Sequence, residues 1–245
     1  HQVYLVSDYK TCRDYLNGTP PVIETGIAEG LTKHSKNGNL IFSDDIAGSQ
    51  NKSEICFFAE DITTTKTGVD LKGIENHFLK VARSRNFKII CVSSQLPLGS
   101  CRVWQLKNPE VSVVYFPEFF RFGDALNRFL CPDYLVFGGA SKAVKKVKAV
   151  FAKLNVPKFT VSLEEAEMAK HAANTFVAMS VSFAAELAKF SNHFNIDLSK
   201  VGEIIRHDKR IGSKAYIMPG LGFSGAVARD LIVLKNEAKK MKTRL

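Results

Sequence analysis

The chain has 245 residues and a formal net charge of +10, with 45% hydrophobic and 24% charged side chains. That is the balance of a soluble globular protein, long enough for one large domain or two small ones with a real core. No apolar run reaches the roughly 18 residues that a membrane-spanning helix needs, which excludes a helical membrane protein.

The chain opens at His1, with neither an initiator methionine nor a signal-like segment, as expected of a processed chain or a piece of a longer one. Gln2 to Val6, Leu40 to Phe42, Ile55 to Phe58, Phe87 to Val92, Val111 to Phe116 and Tyr134 to Phe137 are short apolar runs bounded by turn formers. Their β-branched and aromatic content predicts strands. Helical patterns lie between them, notably Leu71 to Ala82 and Ala143 to Leu154. Such alternation implies an α/β fold with a doubly wound, mostly parallel sheet covered by helices on both faces.

Around Pro157 the character changes. Ser162-Leu163-Glu164-Glu165 reads as a capping box, in which the Ser162 hydroxyl and Glu165 carboxylate satisfy each other's backbone N–H groups. A long helix is predicted from Glu164 to about Asn192, with Ala166, Ala173, Phe176, Val177, Phe183 and Leu187 forming a buried stripe. Asp197 caps a second helix reaching Arg206, and a glycine-rich loop leads into a last helix, Ala226 to Lys242. Residues 1–158 are thus expected to form an α/β domain and residues 159–245 an all-helical one. A helix as apolar as Ala172 to Leu187 wants burial on several sides, so a homodimer or a place in a larger assembly is expected.

Cys12, Cys56, Cys91, Cys101 and Cys131 form no CxxC pair, and no metal ligand set is expected. They read as reduced, buried thiols of a reducing intracellular compartment, cytoplasm or organelle matrix. Positive charge gathers in Lys142, Lys145, Lys146, Lys148 and Lys153, and again in Lys235, Lys239, Lys240, Lys242 and Arg244. With Val144, Val147, Val150 and Phe151 as apolar partners, the first run reads as a solvated helix face. Contact with a polyanion through these basic helices is the sharper alternative.

Several segments carry a resemblance, in one order along nearly the whole chain. Pro21-Val22-Ile23-Glu24-Thr25-Gly26-Ile27 resembles Pro-Ile-x-Glu-Pro-Gly-Leu, and Leu40-Ile41-Phe42-Ser43-Asp44-Asp45 resembles Leu-x-Phe-Thr-Thr-Asp. Ser94-Gln95-Leu96-Pro97-Leu98-Gly99-Ser100 resembles Ser-Thr-Val-Pro-x-Gly-Thr, and Pro117-Glu118-Phe119-Phe120-Arg121-Phe122-Gly123 resembles Pro-Glu-Phe-Leu-x-Glu-Gly. Ala166-Glu167-Met168-Ala169-Lys170-His171-Ala172-Ala173-Asn174 and Arg210-Ile211-Gly212 complete the series, followed by Gly220-Leu221-Gly222-Phe223-Ser224-Gly225 and Asp230. These are motifs of the UDP-glucose/GDP-mannose dehydrogenase family, and the chain looks closest to its UDP-glucose 6-dehydrogenases.

The resemblance implies a Rossmann-type NAD-binding domain followed by a helical dimerisation domain. It implies two NAD-dependent oxidations of a sugar C6 alcohol, through an aldehyde and a cysteine-bound thioester. Lys170 and Asn174 match the residues that hold developing oxyanion charge, and their i, i+4 spacing puts both on one helix face. Asp230 matches an aspartate that acts with the lysine on a water, and Glu118 a base for thioester hydrolysis. Asp8 stands in the place of the ribose-binding acid, with Ser94 and Pro97 also on the cofactor side. Arg210, Gly222 and Phe223 match the sugar site, the arginine being contributed across the family's dimer.

The chain departs from the family at the centre of the chemistry. Ala226 and Val227 stand where the family has Ser-Cys, and the segment is one residue short before Asp230. Neither side chain forms a thioester. Glu60-Asp61-Ile62-Thr63 replaces Val-x-Thr-Pro, which would place acids where a strand end faces dinucleotide phosphates. Gln95 and Phe116 replace a threonine and an asparagine. The glycine-rich turn after a first strand is not found either, and neither is the family's C-terminal UDP-binding domain. That first strand is central in the doubly wound order, so either a segment precedes His1, the favoured expectation, or another segment fills the gap. The expectation is a degenerate homologue with a structural or interaction role. The alternative is an active or partly active NAD-dependent dehydrogenase, converting UDP-glucose to UDP-glucuronate or stopping at the aldehyde, recorded as a fragment.

Overall fold

The computed structural model describes residues 2–20, 24–44, 53–64, 69–84, 87–120, 123–218 and 225–243. They fall into two compact units, one of His1–Asp61 with Leu71–Glu167 and the other of Ile62–Asp70 with Met168–Leu245. The first unit holds the strands β1 (Val3–Val6), β2 (Leu40–Ser43), β3 (Ile55–Phe58), β6 (Ile89–Val92), β7 (Ser112–Tyr115), β8 (Leu135–Gly139) and β9 (Lys158–Val161). Its helices are α1 (Tyr9–Leu16), α2 (Ile27–Lys36), α3 (Lys72–Arg83), α4 (Ser100–Lys107), α5 (Ala125–Leu130) and α6 (Ser141–Val150).

The predicted α/β fold forms, with a parallel-dominated sheet. β3, β6, β7, β8 and β9 make one sheet in that order, parallel throughout except where β7 meets β8. β1 and β2 form a separate parallel pair, and no described strand joins the two sheets. β6, Ile-Ile-Cys-Val, is buried at every position, as a strand covered on both faces must be. Successive residues of β3 point to opposite faces. Phe58 meets Phe78 and Trp104, which stack at 4.3 Å, whereas Phe57 meets Phe151. Around Phe151, Phe116 and Phe137 stack at 5.1 Å with Val144 and Val147 of α6. Val150, expected in that apolar set, is exposed instead. β9, which the sequence reading did not predict, closes one edge of the sheet with half-exposed residues.

Glycine is a steric requirement at the end of β8. A Cβ on Gly138 would lie 2.6 Å from Ala166 Cβ and 2.7 Å from the Ser162 carbonyl oxygen. Backbone cannot retreat as a flexible side chain would. Gly138→Ala is therefore expected to destabilise the chain by about 3 kcal/mol, read as a lowered midpoint in urea denaturation.

The helix α7 (Leu163–Phe194) has 32 residues, and from Met168 onward they belong to the second unit. Its N-terminus is the expected capping box: Glu165 N–H donates to Ser162 Oγ at 3.1 Å, and Ser162 N–H to Glu165 Oε2 at 2.7 Å. Asp197 caps α8 (Leu198–Arg206) by accepting from Ser199 N–H at 2.9 Å, also as expected. The unit adds α9 (Gly225–Lys240) and the antiparallel hairpin β4 (Thr63–Thr64) and β5 (Val69–Asp70).

One part of the predicted stripe on α7 is corrected. Ala166 is buried, but Phe176 and Phe183 are 71% and 57% exposed. The buried positions follow the phase Lys170, His171, Thr175, Ala178, Val181 and Ala184, and the two phenylalanines lie off that line. Among the described residues, no helix is long and apolar enough to cross a membrane.

Candidate active site

Three carboxylates tie the family-like segments together, each over a long sequence separation. Glu24 accepts from the backbone N–H groups of Gly123 and Ala125, joining two of those segments within the first unit. Glu167, fully buried, accepts from Gly99 N–H at 2.6 Å and Cys101 N–H at 2.9 Å. These are donors that the start of α4 leaves without helical partners. Burial pushes the Glu167 carboxyl up from its ordinary value, against those two hydrogen bonds, which pull it down. One turn earlier, Glu164 grips Arg102 of α4 with two bonds of 2.8 and 3.1 Å.

The third carboxylate is Asp230, fully buried on α9 within the second unit. Its Oδ1 meets His171 Nδ1 at 2.5 Å, and its Oδ2 accepts from Asn174 Nδ2 at 2.5 Å. His171 is also fully buried, and Lys170 beside it is nearly so. Helical periodicity explains the grouping: residues 170, 171 and 174 fall on one side of α7. Val227 lies three residues before Asp230 in the first turn of α9, so the two positions share a helix face. The arrangement can hold a proton or an oxyanion. Among the described residues it includes no thiol.

Sequence reasoning singled out Lys170, Asn174 and Asp230 and missed His171. The predicted stripe pointed the other way, since its phase puts His171 on the opposite side of α7.

The remaining candidates are spread more widely. Glu118 lines a cavity of about 180 Å³ with Phe119, Phe129, Cys131 and Tyr134. Asp8 follows β1 and caps α1 from an exposed position, accepting from Thr11 N–H at 3.0 Å and Thr11 Oγ1 at 2.6 Å. Those bonds, the side-chain one first, hold its carboxyl below the usual value. Ser94 lies beyond the carboxyl end of β6, 4% exposed, and its hydroxyl has no partner among the described residues. Pro97 shapes the following turn, its carbonyl accepting from Ser100 N–H at 3.2 Å. Arg210 pairs with Asp208 at 2.6 Å in solvent. Gly222 and Phe223 lie outside the described residues, as do Pro21 to Ile23, Arg121 and Phe122. Glu60, one of the acids beyond β3, is held by His77 at 2.6 Å.

All five cysteines are free and all belong to the first unit. Cys12, Cys91 and Cys101 are buried as expected, but Cys56 is only partly buried and Cys131 is exposed, because it ends a short surface helix. Burial pushes the Cys56 thiol up to about 11 and those of Cys91 and Cys101 well above their ordinary value. Such thiols are poor nucleophiles at neutral pH.

For a dinucleotide, Ser94 is the best-fitting residue, a buried hydroxyl lacking a partner beyond a parallel strand's carboxyl end. Asp8 could accept ribose hydroxyls only in competition with its capping bonds. The start of α4 is closed to phosphate by Glu167.

Solved structures share this architecture. A UDP-glucose dehydrogenase from the archaeon Pyrobaculum islandicum superposes with a TM-score of 0.89 at 27% identity, over 98% of this chain and 58% of that one. A GDP-mannose dehydrogenase from Pseudomonas aeruginosa has the same fold, with a TM-score of 0.79 at 21% identity over 100% of this chain and 60% of that one. The class is that of the nucleotide-sugar dehydrogenase fold. In sequence, the NAD-binding domain of the UDP-glucose/GDP-mannose dehydrogenase family matches residues 1–155, and its central domain matches residues 164–245. The chain belongs to that family. It is 31% identical to the UDP-glucose 6-dehydrogenase TuaD of Bacillus subtilis over 243 residues, which is 95% of this chain and 52% of that protein. It spans about half the length of such relatives.

Proposed function

We propose that this chain is a degenerate homologue of the NAD-dependent UDP-glucose 6-dehydrogenases, with a structural or interaction role. In this reading residues 1–158 form the cofactor-type half and residues 159–245 the helical dimerisation half. The supporting observation is that the unit carrying Lys170, Asn174 and Asp230 contains no cysteine. Without a thiol there, oxidation of an alcohol to an acid through a thioester cannot be completed. The free thiols support a reducing intracellular compartment.

The test is NADH formation and uronate release from UDP-glucose, with the native chain and with Val227→Cys. A thiol at 227 would sit in the first turn of α9, where the helix dipole favours thiolate. Neither protein is expected to release uronate, because the segment is also one residue short. Sustained release by the native chain would overturn the reading.

The intact arrangement of His171, Asn174 and Asp230 favours a second reading. Here the protein is a partly active dehydrogenase that takes the alcohol only as far as the aldehyde. NAD, when bound, would supply the hydride acceptor, with Asp8 and Ser94 as the residues that would hold it. Aldehyde trapped by a hydrazine reagent in step with NADH would support this reading.

The interaction role centres on α7. Phe176, Met179, Phe183, Phe190 and Phe194 are all more than half exposed, in a near-heptad series along one face. Together they offer roughly 500–600 Å² of apolar surface, most of the roughly 800 Å² per partner of a stable interface. A second copy of the chain would cover it. Phe183→Glu is expected to shift the sedimentation profile from dimer to monomer, and an unchanged native monomer would sink the idea. A polyanion is the alternative partner for the basic faces of α6 and α9, in which Lys146, Lys148 and Lys240 are already engaged by Glu54, Thr160 and Glu237.

A further inference from the structure

We infer that His171 is a positioning residue of this site, the group that together with Asn174 fixes the rotamer of Asp230. An ionised carboxylate only accepts hydrogen bonds. The 2.5 Å contact between His171 Nδ1 and Asp230 Oδ1 therefore places the imidazole proton on Nδ1. Asn174 Nδ2 donates to the other oxygen at 2.5 Å.

Each oxygen of the carboxylate is thus held by a different residue of α7. Rotation about the Asp230 side chain would break both bonds at once, leaving buried donors unsatisfied. His171 and Asp230 are both shut off from solvent, where charge-assisted bonds are strong and exchange with water is prevented.

The sequence gives His171 no role of its own. A histidine at full burial needs polar partners, and Asp230 is one of them. What His171 provides is a carboxylate held in one orientation, aimed for proton transfer with a sugar hydroxyl. For that catalytic meaning the inference rests on the second reading above, in which alcohol oxidation persists. The pairing and its orientation do not depend on that reading.

The experiment has a spectroscopic arm and a kinetic arm, both on the full chain. Long-range 1H–15N correlation should show His171 as the Nδ1–H tautomer with a strongly downfield proton, and Asp230→Asn should abolish that signal. An Nε2–H tautomer, or a downfield proton indifferent to Asp230→Asn, would overturn the inference.

For kinetics, His171→Leu removes the donor, whereas His171→Asn keeps one near the place of Nδ1. In the assay above, His171→Leu should lower kcat about ten- to a hundredfold with little change in KM, and His171→Asn should recover part of the loss. Equal loss in both variants, or a loss confined to KM, would assign His171 to packing alone. If the native chain forms no NADH, the activity reading fails by itself, and the spectra decide the positioning.

Discussion

Asp230→Ala should be the most damaging single change in the helical unit, lowering stability by about 4 kcal/mol in urea denaturation. The cause is less the loss of two hydrogen bonds than what they leave behind. His171 Nδ1 and Asn174 Nδ2 would both lose the acceptor they share, His171 at full burial. Stranded donors cost more than the bonds themselves were worth. The double variant Asp230→Ala/His171→Leu should therefore be more stable than Asp230→Ala, because an apolar residue needs no acceptor. A double-mutant cycle showing simple additivity would mean the two side chains do not depend on each other.

Glu167→Ala should cost the first unit about 3 kcal/mol, since it exposes the two N–H groups at the start of α4 and leaves a cavity. Glu167→Gln should cost about 2 kcal/mol, because one amide oxygen can accept while the amide nitrogen confronts the second donor. Burial raises the folded carboxyl above its ordinary 4.5, so the folded state binds the proton more tightly than the unfolded one. The stability contributed by protonation is fully present below 4.5 and is lost as pH rises through the raised value. Glu167→Gln does not titrate. Its deficit against the native chain should accordingly be larger near pH 4.5 than near neutrality, as read from urea midpoints at the two pH values. A deficit that grows with pH would reverse the sign and refute the burial argument.

Much of the fold was legible because a strand covered on both faces must be apolar throughout, and Ile89 to Val92 could hardly be anything else. β9 escaped notice because Lys158-Phe159-Thr160-Val161 closes a sheet edge, where only part of each side chain needs cover. Phe176 and Phe183 were misplaced for a different reason. Hydropathy records that a residue seeks cover without saying whether its own chain supplies it. Of the site, Lys170 and Asn174 could be grouped by helical spacing alone. Their link to Asp230 spans 56 residues from Asn174 and depends on how two helices meet. Glu167 was hidden in the same way: neither its buried phase on α7 nor the N–H groups it finds on α4 could be read.

The hairpin β4–β5 has a consequence for how the protein is made. It belongs with Met168–Leu245, yet it is translated about a hundred residues ahead of them. At ribosomal speed that is a wait of roughly 5–20 seconds. A two-stranded hairpin is marginal in water by itself. During synthesis the strands β4 and β5 therefore wait, without the rest of their own unit, until Met168–Leu245 has been made.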